Sequence, residues 1–176
     1  MRKAYKPVFL VLFLVLVSCA EERDYVWYEY PILSQWIPPQ VSFTEGQDIK
    51  IIEGKSNDSK VFLGGVGRYR YYGSLQSLTH GITVQLAGEM GKKGLKVKNT
   101  AGKSLEVTVD RTNFKAGFVK TASTIEYTVK SGNGKTKPYT VTNSSGGMVD
   151  QAYNGAVALA VIKIMSDPEV LNYINE

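Results

Sequence analysis

Apolar and polar residues alternate in the second half of the chain with the two-residue period of a β-strand. The alternation is clearest over residues 104–110, and it returns over residues 125–129 and 139–141. Residues 131–135 (SGNGK) are turn-forming, so they predict a β-hairpin between the last two strands. Pro138 has no backbone N–H to donate, which predicts that the last strand lies at a sheet edge.

Two long segments have apolar residues at helical spacing instead. Ser74 is the predicted N-cap of a helix whose apolar face consists of Leu75, Leu78, Ile82, Leu86 and Met90. A second helix is predicted from about Met148, and Asp167 followed by Pro168 predicts the start of a short final helix. Additional strands are predicted at residues 47–53, 60–63 and 95–97.

The order of these elements predicts the fold class. Strands, a helix, more strands, a hairpin and a final helical region are typical of an α+β domain. We expect an antiparallel sheet with the two main helices on one face. Glycine-rich residues 64–67 are expected to break the chain before the first helix.

The most hydrophobic stretch lies near the start of the chain and predicts a signal peptide. Residues 8–17 form an unbroken apolar run that follows three basic residues, Arg2, Lys3 and Lys6. A membrane-spanning helix needs about twenty apolar residues, so this run is too short to be one. We therefore divide the chain into a removed signal peptide (1–18), an aromatic and proline-rich tether (19–45) and a single α+β domain (46–176).

The end of this run, Leu16-Val17-Ser18-Cys19, resembles the lipobox of bacterial lipoproteins. The resemblance implies that the peptide before Cys19 is cut and that Cys19 is lipidated; the alternative is a secretory signal with a chance cysteine. By analogy with enterobacterial sorting, Ala20 after the cysteine favours location in the outer membrane, and we expect the protein to face the periplasm. The alternative is exposure at the cell surface, because Glu21-Glu22 fits a surface-export signal of other bacteria. Cys19 is the only cysteine, so the chain cannot form an internal disulfide.

The charge of the chain excludes a nucleic-acid-binding function. The formal net charge of +5 comes from 21 basic and 16 acidic residues, and three of the basic residues belong to the predicted signal peptide. The remaining net charge, about +2, is too small for the basic surface that nucleic-acid binding requires.

No motif in the chain predicts catalysis, a metal site or a cofactor. The Gly-Lys-Ser/Thr segments at residues 54–56, 102–104 and 134–136 lack the earlier glycine of a phosphate-binding loop. His80 is the only histidine, and the nearby Ser74 and Ser77 are weak evidence for a catalytic group. We predict that the protein is not an enzyme.

Two groups of residues are candidate contact sites. Trp27, Tyr28, Tyr30 and Trp36 in the tether are of the type that rests at membrane headgroups or anchors a protein interface. The alternative is that the tether folds back over its own domain. Consecutive Arg68, Tyr69, Arg70 and Tyr71 are candidate contacts for a ligand.

The last part of the chain resembles the YajG-type uncharacterised outer-membrane lipoproteins. The residues that carry the resemblance lie in the predicted hairpin and the C-terminal helices: 122–125, 132–135, Lys137, Tyr139, 152–154, 156–157, 165–167, Val170, Tyr173 and Ile174. The resemblance implies a small α+β lipoprotein domain, and because the family has no settled activity it implies no catalytic residues.

These observations predict a non-enzymatic lipoprotein of the cell envelope, anchored in the membrane through Cys19. It would be a structural or accessory subunit of an envelope assembly, with a protein partner or further copies of itself. The alternative is a periplasmic binding module for peptidoglycan or a lipid ligand.

Overall fold

The computed structural model describes residues 19–39 and 41–176. The predicted signal peptide, including Leu16, Val17 and Ser18 of the lipobox, lies outside the described residues.

Two β-sheets form the framework of the domain. The larger has five strands in the order β5-β2-β6-β7-β8: β2 (Asp48–Glu53), β5 (Lys96–Val97), β6 (Ser104–Ala116), β7 (Thr121–Ser131) and β8 (Thr136–Ser145). The smaller has three strands in the order β1-β4-β3: β1 (Glu21–Asp24), β3 (Val61–Val66) and β4 (Tyr69–Gly73).

Three α-helices pack on this framework: α1 (Leu75–Lys92), α2 (Val149–Met165) and α3 (Pro168–Asn175). The predicted caps are confirmed, because the Ser74 side chain accepts a hydrogen bond from the Ser77 backbone N–H and the Asp167 side chain accepts one from Glu169. Both caps satisfy backbone donors that the first turn of a helix leaves without partners.

The main core lies between the helices and one face of the larger sheet. The alternating residues Leu105, Val107 and Val109 of β6 are at most 1% exposed, as the strand period predicts. Helix α1 covers β2 and β6, whereas α2 covers β7 and β8. The inward side of α2 contains small residues, among them Ala152, Ala156 and Ala160, all fully buried. Small side chains let the helix approach the sheet closely.

The α+β class is confirmed, but the larger sheet is mixed rather than antiparallel. Strands β6, β7 and β8 are antiparallel, as expected from their short connections. Strand β2 is parallel to β6 and to β5, because the chain between β2 and β5 crosses over through α1. The prediction that the last strand is an edge is confirmed: β8 lies at the end of the strand order.

The smaller sheet was predicted only in part, because the sequence indicated a strand at residues 60–63 but neither β1 nor β4. We expected residues 64–67 to break the chain, but Gly64 and Gly65 continue β3 and the turn follows at Gly67. Gly64 has a φ of 154°, and a side chain there would collide with the ring of Phe114 on β6. The glycine therefore allows close packing between the two sheets, where we predicted an interruption.

The N-terminal segment, residues 19–45, folds back onto the domain. Strand β1 pairs in parallel with β4 and completes the smaller sheet. Further along, Tyr25, Ile37 and Val41 are each buried to 6% exposure or less. The structure therefore shows this segment packed over the chain's own domain, whereas contact of its aromatic residues with a membrane or a partner stays a prediction.

Candidate functional site

The N-terminal segment is the candidate functional region because it joins the predicted lipidation residue to the domain. Cys19 is exposed and lies two residues before the first residue of β1, Glu21. The Glu21 backbone N–H donates a 2.9 Å hydrogen bond to the Arg68 carbonyl oxygen, at the turn between β3 and β4. Two residues span at most about 7 Å, so Cys19 lies close to this turn.

Trp27 docks on helix α1 at a glycine. A Cβ atom on Gly81 would lie 2.7 Å from Trp27 Nε1 and still closer to another ring atom. The Trp27 ring also meets the His80 ring edge-on, with the centroids 6.1 Å apart. The absence of a side chain at Gly81 therefore lets the indole pack closely against the helix, where Trp27 is half-buried.

Asn154 of α2 holds the same segment from the other side. Asn154 is fully buried, and its Oδ1 accepts hydrogen bonds from the Tyr25 hydroxyl at 3.0 Å and the Tyr28 backbone N–H at 3.3 Å. Burial raises the pKa of Tyr25 well above its ordinary value, so its hydroxyl stays protonated and can donate. The Tyr28 ring itself remains 42% exposed.

An apolar cleft opens between the segment and the outer side of α2. Its volume is about 390 Å³, and it is lined by Tyr30, Trp36, Asn143, Gly155, Ala158, Leu159 and Ile162. Trp36 and Leu159 are large apolar side chains at its surface, 45% and 37% exposed. The Tyr30 carbonyl accepts a hydrogen bond from Gln85 of α1, which fixes the backbone beside the cleft. The cleft could hold an aromatic or aliphatic group of a partner.

The structure thus separates the four aromatic residues singled out in the sequence. It brings Tyr30 and Trp36 together in the cleft. It places Trp27 on α1 and leaves Tyr28 exposed nearby. Contact of these residues with a membrane or a partner stays a prediction, but Tyr30 and Trp36 are the pair whose placement suits one.

The consecutive residues 68–71 singled out in the sequence, the Arg/Tyr segment, begin in a turn at Arg68 and continue along β4, the middle strand of the smaller sheet. Tyr71 is 4% exposed and belongs to the core. Arg68 lies 3.6 Å from a carboxylate oxygen of Glu21, and the Arg70 guanidinium donates to the carbonyls of Gly67 and Tyr69.

The Tyr69 ring in turn faces a cation from β1. The guanidinium carbon of Arg23 lies 3.9 Å from the Tyr69 ring centroid. The polar groups of the segment are thus engaged in holding the smaller sheet together. Their role as ligand contacts stays a prediction.

The pair of Glu53 and His80 was not predicted from the sequence. His80 Nδ1 lies 2.9 Å from one carboxylate oxygen of Glu53, and Gln76 donates to the other. These groups line an open depression beside Trp27. The Ser77 hydroxyl donates to the Ser74 carbonyl, and the Ser74 hydroxyl caps α1. In these contacts neither serine hydroxyl is joined to His80, which a nucleophilic triad would require.

The described residues offer neither a three-residue metal site nor a membrane-spanning helix. Within residues 19–39 and 41–176, no group of three histidine, cysteine or carboxylate side chains is arranged to hold a metal ion. In the same part of the chain, no helix is both long enough and apolar enough to cross a membrane.

Comparison with known proteins identifies a similar fold. No family model matches the chain, and no curated protein matches it. The crystal structure of protein XCC0632 from Xanthomonas campestris, assigned to DUF330, aligns with 88% of this chain and 96% of its own, with a TM-score of 0.51 and 15% sequence identity. At that identity the likeness concerns the fold alone.

A second bacterial structure is more distant. A Helicobacter pylori protein described as a neuraminyllactose-binding haemagglutinin homologue aligns with 85% of this chain and 96% of its own, with 11% identity and a TM-score of 0.36. That likeness is too weak to support a conclusion about this chain.

Proposed function

We propose that the protein is a non-enzymatic lipoprotein of the bacterial outer membrane, related to the YajG type and anchored through Cys19. The observation that carries the proposal is the position of Cys19, which is exposed and two residues ahead of an ordered strand. A lipid on this residue would be joined to the folded domain almost directly. The domain would then be held against the membrane surface rather than on a long flexible linker.

We place the contact with an envelope partner at the cleft between the N-terminal segment and α2. Trp36 and Leu159 expose apolar surface there although the rest of α2 is largely buried. Tryptophan and tyrosine are common energetic anchors of protein interfaces. In this proposal the protein is an accessory subunit whose partner, either another protein or a second copy, inserts an apolar side chain into the cleft.

The anchor and the assembly are tested in one experiment. The protein is extracted from membranes in mild detergent, and its acylation and native size are measured with Cys19→Ala as the unanchored control. We expect a mass that includes acyl groups on Cys19 and migration in a large particle. An unacylated mature protein would contradict the anchor, and a monomer in both forms would contradict a stable assembly.

The cleft is tested with a matched pair of substitutions. Leu159→Glu places a charge in the cleft, whereas Val84→Glu places one on α1 at a similarly exposed position, 44% against 37%. We expect Leu159→Glu to release the monomer and Val84→Glu to leave the particle intact. Equal behaviour of the two variants would show that the cleft is not the contact.

The second candidate function is a binding module for a lipid or another envelope ligand. The apolar lining of the same cleft favours it, because small-molecule sites are concave and mostly apolar. A fluorescent fatty acid titrated into unacylated monomers would distinguish the two functions. Saturable binding of the fatty acid that is lost in Leu159→Glu would support the binding module. No binding of the fatty acid would favour the accessory subunit.

A further inference from the structure

The turn between β6 and β7 exposes two large apolar side chains. The Gly117 backbone N–H donates a 2.9 Å hydrogen bond to the Lys120 carbonyl, which closes the turn around Phe118 and Val119. Phe118 is fully exposed, at 106% of the reference accessible area of a phenylalanine, and Val119 is 75% exposed. These are the two highest values among the exposed large apolar residues of the described chain. Neither side chain contributes to the core of the domain.

The conformation of the turn does not account for these residues. Tight turns favour Gly, Asn, Asp and Pro, and a β-branched valine is disfavoured in them. The opposite hairpin has Asn133 and Gly134 at its turn, as this rule predicts. The apolar pair at this tip is therefore explained neither by the turn nor by the core, and it is exposed to molecules outside this chain.

The tip lies at the same end of the molecule as Cys19. The Val109 backbone N–H of β6 donates a hydrogen bond to the Thr79 hydroxyl, in the first part of α1. Helix α1 directly follows β4 along the chain. Farther along β6, Phe114 packs against Gly64 of β3. The open end of the β3–β4 hairpin is thus near Val109. From there, β3 runs toward the hairpin's turn in the same direction as β6 runs toward Phe118.

The two turns also extend by the same amount from their shared contact. From Phe114 to the end of β6 at Ala116 is two residues, and from Gly64 to the end of β3 at Val66 is also two residues. At about 3.3 Å per residue, both turns begin roughly 7 Å beyond the contact of Phe114 with Gly64. Since Glu21 is hydrogen-bonded to Arg68, Cys19 lies at about the same height as the tip.

The charges around the tip suit a phospholipid surface. Residues 112–125, on both sides of the tip, contain Lys115 and Lys120 and no acidic residue. Lysines that flank exposed aromatic side chains can reach phosphate groups while the apolar side chains enter the acyl boundary.

We infer that Phe118 and Val119 form a second membrane contact, which inserts into the same phospholipid leaflet that holds the lipid on Cys19. The inference rests on the proposed function in taking Cys19 as the anchor. Two contacts at one end of the domain would fix its orientation, with the β6–β7 turn in the membrane and the β7–β8 turn directed away from it.

The orientation is tested with the acylated protein reconstituted into vesicles of phosphatidylethanolamine and phosphatidylglycerol. Because acylation consumes the only native thiol, Val119→Cys would carry a single thiol for a fluorescent label. Asn133→Cys is the matched control, at the turn on the other end of β7. The 11 residues of that strand separate the two turns by about 35 Å.

We expect nitroxide lipids to quench the label on Val119→Cys and not the label on Asn133→Cys. Equal access of both labels to aqueous iodide, with the protein retained on the vesicles, would overturn the inference and leave the anchor intact. A protein that carries no acyl group and leaves the vesicles would contradict the proposed function instead.

A second measurement tests the tip without the anchor. Unacylated Cys19→Ala protein is titrated with the same vesicles, alone and with Phe118→Ser or Phe62→Ser. Phe62 is also exposed, at 56%, but lies near the open end of the β3–β4 hairpin. Removing a phenylalanine from an apolar environment is expected to lower vesicle affinity by roughly 10-fold or more for Phe118→Ser, with no change for Phe62→Ser. Equal affinity of the two variants would overturn the inference, and a protein partner would then be the occupant of the tip.

Discussion

The contact between Trp27 and Gly81 makes a prediction in which two physical effects have opposite signs. Alanine in a helix interior is more favourable than glycine by about 0.8–1 kcal/mol. If the N-terminal segment did not touch α1, Gly81→Ala would therefore stabilise the domain. In the structure, the new methyl group would lie 2.7 Å from Trp27 Nε1. Since optimal heavy-atom separations are about 3.5–4.0 Å, the ring would have to move by about 1 Å.

Overpacking of this kind typically costs about 1–3 kcal/mol, which exceeds the gain in helix propensity. We expect Gly81→Ala to lower the free energy of unfolding by about 1 kcal/mol. The matched control is Gly88→Ala in the same helix, where a methyl group would have nothing within 4 Å. That substitution should raise the free energy of unfolding by about 0.5–1 kcal/mol, so the two variants should differ by about 2 kcal/mol.

The assay is urea denaturation of the unacylated protein from residue 19, with Cys19→Ala, followed by far-ultraviolet circular dichroism. Tryptophan emission gives a second signal, because Trp27 is one of only two tryptophans. In a Trp27→Ala background the collision is absent, and Gly81→Ala should become stabilising. The reasoning would be refuted if Gly81→Ala stabilised the protein with Trp27 present as much as Gly88→Ala does.

Three further predictions concern single contacts. Asn154→Ala leaves the buried Tyr25 hydroxyl without its acceptor, so we expect a loss of about 1–3 kcal/mol in urea denaturation, and a smaller loss once Tyr25→Phe is also present. Ser74→Ala removes the N-cap of α1 and should cost about 1 kcal/mol in the same assay. Partial burial alone would raise the pKa of Asp167, but hydrogen bonds, that from Lys137 foremost, hold it below its ordinary value. The stability that ionised Asp167 provides should therefore be complete above about pH 4 and lost as the pH falls further, so unfolding curves of the native protein and Asp167→Asn should converge in acid.

The sequence determined the elements whose signals are local. The alternation of Leu105, Val107 and Val109 with polar residues predicted a strand buried on one face, because successive side chains of a strand point to opposite faces. The caps at Ser74 and Asp167 were readable because each acts on backbone groups within three residues. The edge position of the last strand followed from the missing donor of Pro138.

The candidate site could be predicted only in part. Lipidation of Cys19 stays a prediction from the sequence, which also singled out Tyr30 and Trp36 as residues of an interface type but gave no position for them. The pairing of Glu53 with His80 joins residues 27 positions apart. No local pattern distinguishes such a pair from two separate solvated side chains.

Tertiary structure alone decided where the N-terminal segment lies and which parts of the chain share one end of the domain. Hydrophobic periodicity shows that a residue is buried, but not which distant residue covers it. Tyr25 bonds to Asn154, 129 residues away, and Gly64 packs on Phe114. The contact of Gly64 with Phe114 brings β3 against β6, and the bond of Tyr25 to Asn154 holds the N-terminal segment against α2. Strand direction and sheet-to-sheet packing depend on the summed contacts of the whole chain, so no single segment of the sequence encodes them.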